Sequence, residues 1–264
     1  MLRSVFGKAL WDNRRGLLGW AVGISAVGVM YAAFYPTVNT PEMAEALKAY
    51  PPGLLDAIGF TDITSAAGYL GSTTFGILGP TLVIIFAASM GASAIAGDEQ
   101  SGLLDLPLAH PVSRWRLLLE RFAAILVSVF IACAVLALAL IAIAGPADLG
   151  SIGPANTAAA AAHLALLGVW FAALALAVGG LTGRRTVVYA AVGAIGVAAF
   201  LGNNLAPAVE GLAWAQDVSP FHYLSGGAPL RNGFQVLDAF VLAATSAVLL
   251  VVGGLAFDRR DIAV

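Results

Sequence analysis

The sequence predicts an all-α membrane protein that crosses the bilayer six times, and three observations predict it. Its 264 residues are 60% hydrophobic and only 11% charged, with a mean hydropathy of +0.90, whereas an ordinary soluble domain is about 25% charged. Uncharged stretches long enough to cross a hydrocarbon core of about 30 Å as helices alternate with short polar segments. With the N-terminus in the cytoplasm, 11 of the 13 Lys and Arg residues fall on inner segments and only Lys48 and Arg231 on outer ones. That is the asymmetry the positive-inside rule describes.

In chain order, residues 1–15 (MLRSVFGKALWDNRR) put Leu2, Val5, Phe6, Ala9 and Leu10 near one helical face. Arg3, Lys8, Asp12, Arg14 and Arg15 surround the rest. This is the pattern of a short helix lying in the membrane interface; a basic anchor that only sets topology fits the residues equally well. Residues 16–35 are uncharged and form span 1, too long for a cleaved signal, so the span is expected to stay. Residues 36–68 form an outer loop in which PEMAEALKAYPPGLLDAIG makes short amphipathic helices broken by Pro51 and Pro52.

Span 2 lies within residues 69–96 and contains Pro80. Span 3 covers 122–144 and stops at Gly145-Pro146, and span 4 covers 157–181. Gly183, Arg184 and Arg185 turn tightly into span 5, residues 186–201. Residues 203–235, with Pro207, Pro220 and Pro229, form a second structured outer loop with short helices before span 6, residues 236–257. The whole is one six-span domain, residues 1–264, with both termini cytoplasmic in a cell membrane. The Arg-rich, Ala-rich coding bias fits a bacterium.

Several functions are excluded. An ion-coupled carrier needs an ionisable group at mid-membrane depth, and the expected span interiors hold no Asp, Glu, Lys or Arg. His163 and Asp238 fall near outer span ends, where water is expected to solvate them. Gly7-Lys8 is not a phosphate-binding loop, because Leu2 stands where its first glycine belongs. The chain is therefore no ATPase, no nucleophile, base and orienter set makes it any other enzyme, and it carries no cofactor of its own. His110, His163 and His222 lie in separate segments and make no metal site, and the lone Cys133 sits in an apolar run, packed in the core or against lipid. Nothing marks a nucleic-acid binder. Gly19 and Gly23, and Gly193 and Gly196, are spaced for close helix approach.

Residues 97–121, GDEQSGLLDLPLAHPVSRWRLLLER, carry seven charged side chains between two uncharged spans. A segment this polar must meet water or another protein. Asp98, Glu99, Gln100 and Ser101 have the composition of a helix start, where acids are favoured. Leu103, Leu104, Leu106 and Leu108 supply an apolar surface, and Pro107 and Pro111 end regular structure. A short, stiff, part-apolar helix suits a partner's groove; an interfacial loop anchored to lipid headgroups is the plainer alternative.

The run GLLDLPLAHPVSR, preceded by Asp98-Glu99, resembles the loop between spans 2 and 3 of type-2 permeases of ATP-binding cassette (ABC) exporters, where an acidic pair precedes a pattern close to GTLELLLATPVSR. Gly102, Leu104, Leu106, Leu108, Ala109, Pro111, Val112, Ser113 and Arg114 match. Asp105 replaces Glu, Leu103 and His110 replace Thr, and Pro107 replaces Leu. Ser219 to Tyr223 (SPFHY) and the ending FDRRDI, residues 257–262, resemble two further segments of that family in the same order. The resemblance implies an interfacial elbow helix at 1–15 and a coupling helix within 97–113 that docks on a cytoplasmic ATPase. Asp98, Glu99, Ser101, Gly102, Leu103, Leu106, Pro107, Pro111, Val112, Ser113 and Arg114 would make that contact.

It further implies two such ATPases per complex, which bind ATP and Mg, a second permease copy or homologue, and export of a hydrophobic or amphipathic compound (a drug, lipid or glycolipid). Phe34, Phe75, Phe86 and Tyr189 are the candidates for lining its path; packing against lipid or neighbouring spans explains them equally well. The rival reading is a membrane anchor or sensory subunit that recruits a partner and moves nothing.

Overall fold

In a computed structural model of the chain, described for residues 5–49, 62, 64–100, 113–206, 209 and 211–260, the apolar stretches are six helices long enough to cross a membrane. They are α1 (Val5–Val38), α3 (Ala66–Gln100), α4 (Arg114–Ala142), α5 (Pro154–Thr182), α6 (Arg185–Leu205) and α10 (Val236–Arg259). A short α2 (Pro41–Lys48) follows α1. Three short helices, α7 (Trp214–Val218), α8 (His222–Ser225) and α9 (Pro229–Asn232), precede α10. The protein is an all-α membrane protein, and among the described residues there is no strand.

Several boundaries differ from expectation, two of them at the ends of the first two spans. The segment expected as a separate interfacial helix, residues 1–15, is continuous with span 1 from Val5 onward. No proline interrupts the chain before Pro36, and a continuous helix keeps each backbone amide bonded where no water replaces a lost partner. The helix of span 2 likewise continues through Asp98 and Glu99 to Gln100, the last described residue before 113. The two acids are paired with arginines of other helices, as described below.

The course of α3 follows from its sequence. Ser65 caps its start, its Oγ accepting the Gly68 amide hydrogen at 3.0 Å. Pro80 has no N–H to give, and the chain reaches it through a wide π-helical turn at Thr74–Leu78. A second π-helical turn, Ser93–Gly97, comes immediately before the acid pair. A wide turn adds a residue to the helix and so rotates everything after it; this one sets which neighbours Asp98 and Glu99 meet.

The bundle is built around α5. Of its most apolar window 78% is buried, against 11% for α6 and 28% for α1, and α3, α4 and α10 pack on it. Small residues set the spacing. A Cβ on Gly168 would come within 2.4 Å of Val83 Cγ1 and 2.8 Å of Val129 Cγ1, so only glycine lets α3 and α4 approach α5 this closely. Within this chain the sequence pairs singled out for close approach meet no neighbouring helix closely: Gly19, Gly23 and Gly193 have nothing within contact distance, and Gly196 reaches only the edge of Phe171. They lie on α1 and α6, the least buried spans. Cys133 is buried in the core.

Both ends of the described chain reach the same end of the bundle. The Phe6 amide donates to Glu120 Oε2 at 2.9 Å near the start of α4, and Arg260, just beyond α10, pairs with Glu99 at the end of α3. We call this the basic end and the opposite one the loop end.

Candidate functional site at the basic end

Four spans converge here through charged side chains. Arg121 on α4 pairs with Asp98 at 2.6 Å, and Arg260 after α10 pairs closely with Glu99. Arg185, at the start of α6, donates to Ser93 Oγ at 2.7 Å in the second π-helical turn of α3. The Glu99 and Arg260 side chains keep only 12% and 21% of their exposure, so the partners shield each other from water. At that burial, removing one partner costs more than the pair contributes when intact.

Arg114 performs a different task. Its Nη1 donates to the Phe257, Asp258 and Arg260 carbonyls at 2.8, 3.2 and 2.8 Å. The last carbonyls of a helix lack internal partners, and a guanidinium there also opposes the dipole's negative end; Arg114 thus caps α10 from α4. The preceding Ser113 caps α4 itself, its Oγ accepting the Arg116 amide hydrogen at 3.2 Å. Residues 113–114, at the entry of α4, are therefore fastened to two spans. Gly183 completes the turn between α5 and α6 with φ +62°, a left-handed conformation that suits glycine. A side chain there would strike the Glu99 carboxylate and the Arg260 guanidinium, each within 2.7 Å of the added Cβ.

Of the residues expected to contact a partner, Asp98, Glu99, Ser113 and Arg114 are thus brought together at this end. Ser101, Gly102, Leu103, Leu106, Pro107, Pro111 and Val112 lie outside the described residues. The sequence reading missed the roles of Arg121, Arg185 and Arg260, counting them only among the basic residues of the inner segments. Their signal was present: acids and arginines of well-separated segments, all assigned to one side.

The expected path-lining residues disperse. Phe34 and Tyr189 are on outward faces, and Phe86 is buried in the core, stacked on Trp20. Phe75 alone of the four lines a cavity, one of about 420 Å³ at the loop end, between the start of α3, the end of α6 and the segment carrying α7 to α9. His163, expected near water, is instead buried. Its Nδ1 faces the Tyr223 carbonyl at 3.1 Å and its Nε2 accepts the Gln235 amide hydrogen at 3.2 Å, so Nδ1 carries the proton. It fastens the residues on both sides of α9 to α5, a structural task for a buried polar group on a largely apolar helix.

At the same end, Asn156 Nδ2 donates to the Leu230 and Arg231 carbonyls at 3.1 and 3.0 Å. Arg231 pairs with Asp62 and bonds Ser65 Oγ at 3.0 Å. Burial alone would push the Asp62 carboxyl up, but the bonds from Ser65 and Arg231, the Arg231 charge and a bond from Thr64 together hold it below its ordinary 3.8.

A family described as the multidrug efflux system permease Rv1217c, C-terminal domain, matches residues 2–258 of the chain. The chain belongs to this family. Its six apolar helices are thus those of a multidrug efflux permease domain, a multi-pass membrane transporter subunit, in agreement with the permease resemblance of its sequence. No curated protein matches the chain significantly. Within this permease the charged cluster holds the ends of α3, α4, α6 and α10 together, while the cavity lies at the far end.

Proposed function

We propose that the chain is the transmembrane subunit of an ATP-driven exporter, with its basic end in the cytoplasm and the segment 101–112 docked on a separate ABC ATPase. One observation carries the reading: Asp98 and Glu99, at the exit of α3, are tied to α4 and to the end of α10, and Arg114, at the entry of α4, caps α10. A push on the joining segment therefore reaches several spans as one unit. ATP binding needs two states that it stabilises unequally, and rigid, cross-linked helix ends are suited to shifting between two such states.

Two ATPases bind Mg and ATP, and two permease units face each other. The exposed apolar side chains of α1 and α6, among them Phe34, Val197 and Leu201, support a further contact with lipid or a second unit. The cargo is hydrophobic or amphipathic, in keeping with the uncharged span interiors and the family.

Reconstitution with the cognate ATPase in vesicles tests this. ATP-dependent accumulation of a neutral amphipathic dye is expected. The double change Asp98→Lys and Glu99→Lys is expected to lower dye moved per ATP hydrolysed at least about tenfold, the equivalent of one lost coupling interaction, while the subunit still inserts. Accumulation that ignores ATP, or coupling that survives the double change, would overturn the proposal; an anchoring subunit would leave dye distribution unchanged.

A further inference from the structure

The cavity at the loop end lies away from the charged cluster, yet its lining is selective. Phe75, Phe200 and Phe221 give it aromatic walls, and Asn203, Asn204 and Gln216 bring amides into it. Its volume of about 420 Å³ is far beyond the roughly 30 Å³ share of one water and within the range of small-molecule sites, about 300–1,000 Å³.

Two features define the ligand. First, the charged groups of the lining, Asp62 and Arg231, are hydrogen-bonded to each other. An ionic ligand would lose its hydration without gaining a free counter-charge, and that is unfavourable. Second, the lining holds an unsatisfied hydrogen-bond acceptor. Asn203 Oδ1 is buried without a hydrogen bond among the described residues. Asn204 Nδ2 already donates to the Phe200 carbonyl at 3.0 Å, which leaves its Oδ1 as an acceptor. A buried acceptor left unpaired is costly, and a ligand hydroxyl or amide N–H removes the cost.

We infer that this cavity binds an uncharged amphipathic molecule, its ring or chain against Phe75, Phe200 and Phe221 and its hydroxyl or amide donors toward Asn203 and Asn204. It is a site where cargo waits before release. The ligand's identity as cargo rests on the export reading; the site itself does not.

The test is equilibrium binding of tritiated 1-naphthyl β-D-glucoside to the purified chain in phosphatidylcholine nanodiscs, without ATPase or nucleotide, against empty discs. The same naphthyl body carried by a phosphate and by a methylammonium group serves for comparison. Gly71 lines the cavity, and a Cβ there first meets Leu230 Cδ1 at 3.9 Å, an ordinary contact, so Gly71→Leu fills the space without a clash at its root. Asn203→Leu removes the acceptor at similar volume.

Saturable glucoside binding is expected, abolished in Gly71→Leu and weakened about tenfold in Asn203→Leu, the loss of about one hydrogen bond. Both charged probes should bind at least about tenfold more weakly. Thermal unfolding confirms that each variant is folded, and Asn203→Leu decides if Gly71→Leu is not. No saturable binding, equal affinity for the charged probes, or unchanged affinity in the folded variants would overturn the site. Binding that behaves as expected without ATP-driven export would retain the site and remove its role as a waiting place for cargo. Export without such binding would do the reverse.

Discussion

The two ends of the bundle are held by different means. At the basic end, helix ends are joined by side-chain charges: Asp98 with Arg121, Glu99 with Arg260, and Arg114 on the carbonyls that close α10. At the loop end a charge pair, Asp62 with Arg231, is outnumbered by neutral donors that grip backbone carbonyls: Asn156 on Leu230 and Arg231, Tyr35 Oη on Thr64 at 3.0 Å, Tyr69 Oη on Tyr31 at 3.1 Å, and Ser219 Oγ on Ala199 at 2.8 Å. Charge pairs act over longer distances and can exchange partners, whereas a carbonyl contact is short and directional. The first design suits an end that would receive a force under the proposed function, the second an end that keeps a cavity open in one shape.

Substitutions separate the two. The largest effect is expected from Glu99→Lys, which sets a like charge against Arg260 in a shielded place. ATP-dependent transport should fall at least about tenfold, and Glu99→Lys combined with Arg260→Glu should restore much of it. A swap that restores nothing would show that the pair itself does not transmit motion. Next, Arg114→Ala removes three bonds to the end of α10 and should cost about 1–3 kcal/mol of thermal stability in detergent, in line with charged hydrogen bonds. Its loss should grow as salt is removed, because charge contributions are largest at low ionic strength.

At the loop end, Asn156→Ala should cost less, about 1–2 kcal/mol, read from the same unfolding experiment. Its effect should be independent of salt, and coupling per ATP should be unaltered. Equal salt dependence at both ends would erase the distinction.

The smallest effect concerns acid. The Asp62 carboxyl is held below its ordinary value in the folded protein, so its pairing stabilises at pH above 3.8 and is lost only as pH falls through the lower folded-state value. The difference in unfolding temperature between the parent and Asp62→Asn should stay constant from about pH 7 to about pH 5 and shrink below about pH 4. A difference that vanishes already near neutrality would mean that a histidine governs this end.

Much of the fold was legible in the chain. Six apolar stretches, their order and the convergence of both ends on one side followed from hydropathy and the placement of arginines. Boundaries were less so: α4 begins at Arg114, well ahead of the expected residue 122, because Trp115, Arg116, Glu120 and Arg121 continue the helical phase although they are polar. A hydropathy reading stops where charge begins, but a capped helix does not. The candidate site was half legible. Asp98, Glu99, Ser113 and Arg114 stood out as a motif, whereas Arg185 and Arg260 did not, since nothing in linear order says which distant cation an acid meets.

The amino-acid order alone determined that the chain lies in a membrane, how often it crosses and which segments share a side, because the cost of burying charge and bare backbone is a property of each segment by itself. Only the tertiary structure decided which phenylalanine borders a cavity and which forms the core, which glycines admit a neighbouring helix, and which arginine answers Glu99. Those are properties of pairs. They depend on the rotation of one helix against another, set here by two wide turns in α3 and by the close approach at Gly168.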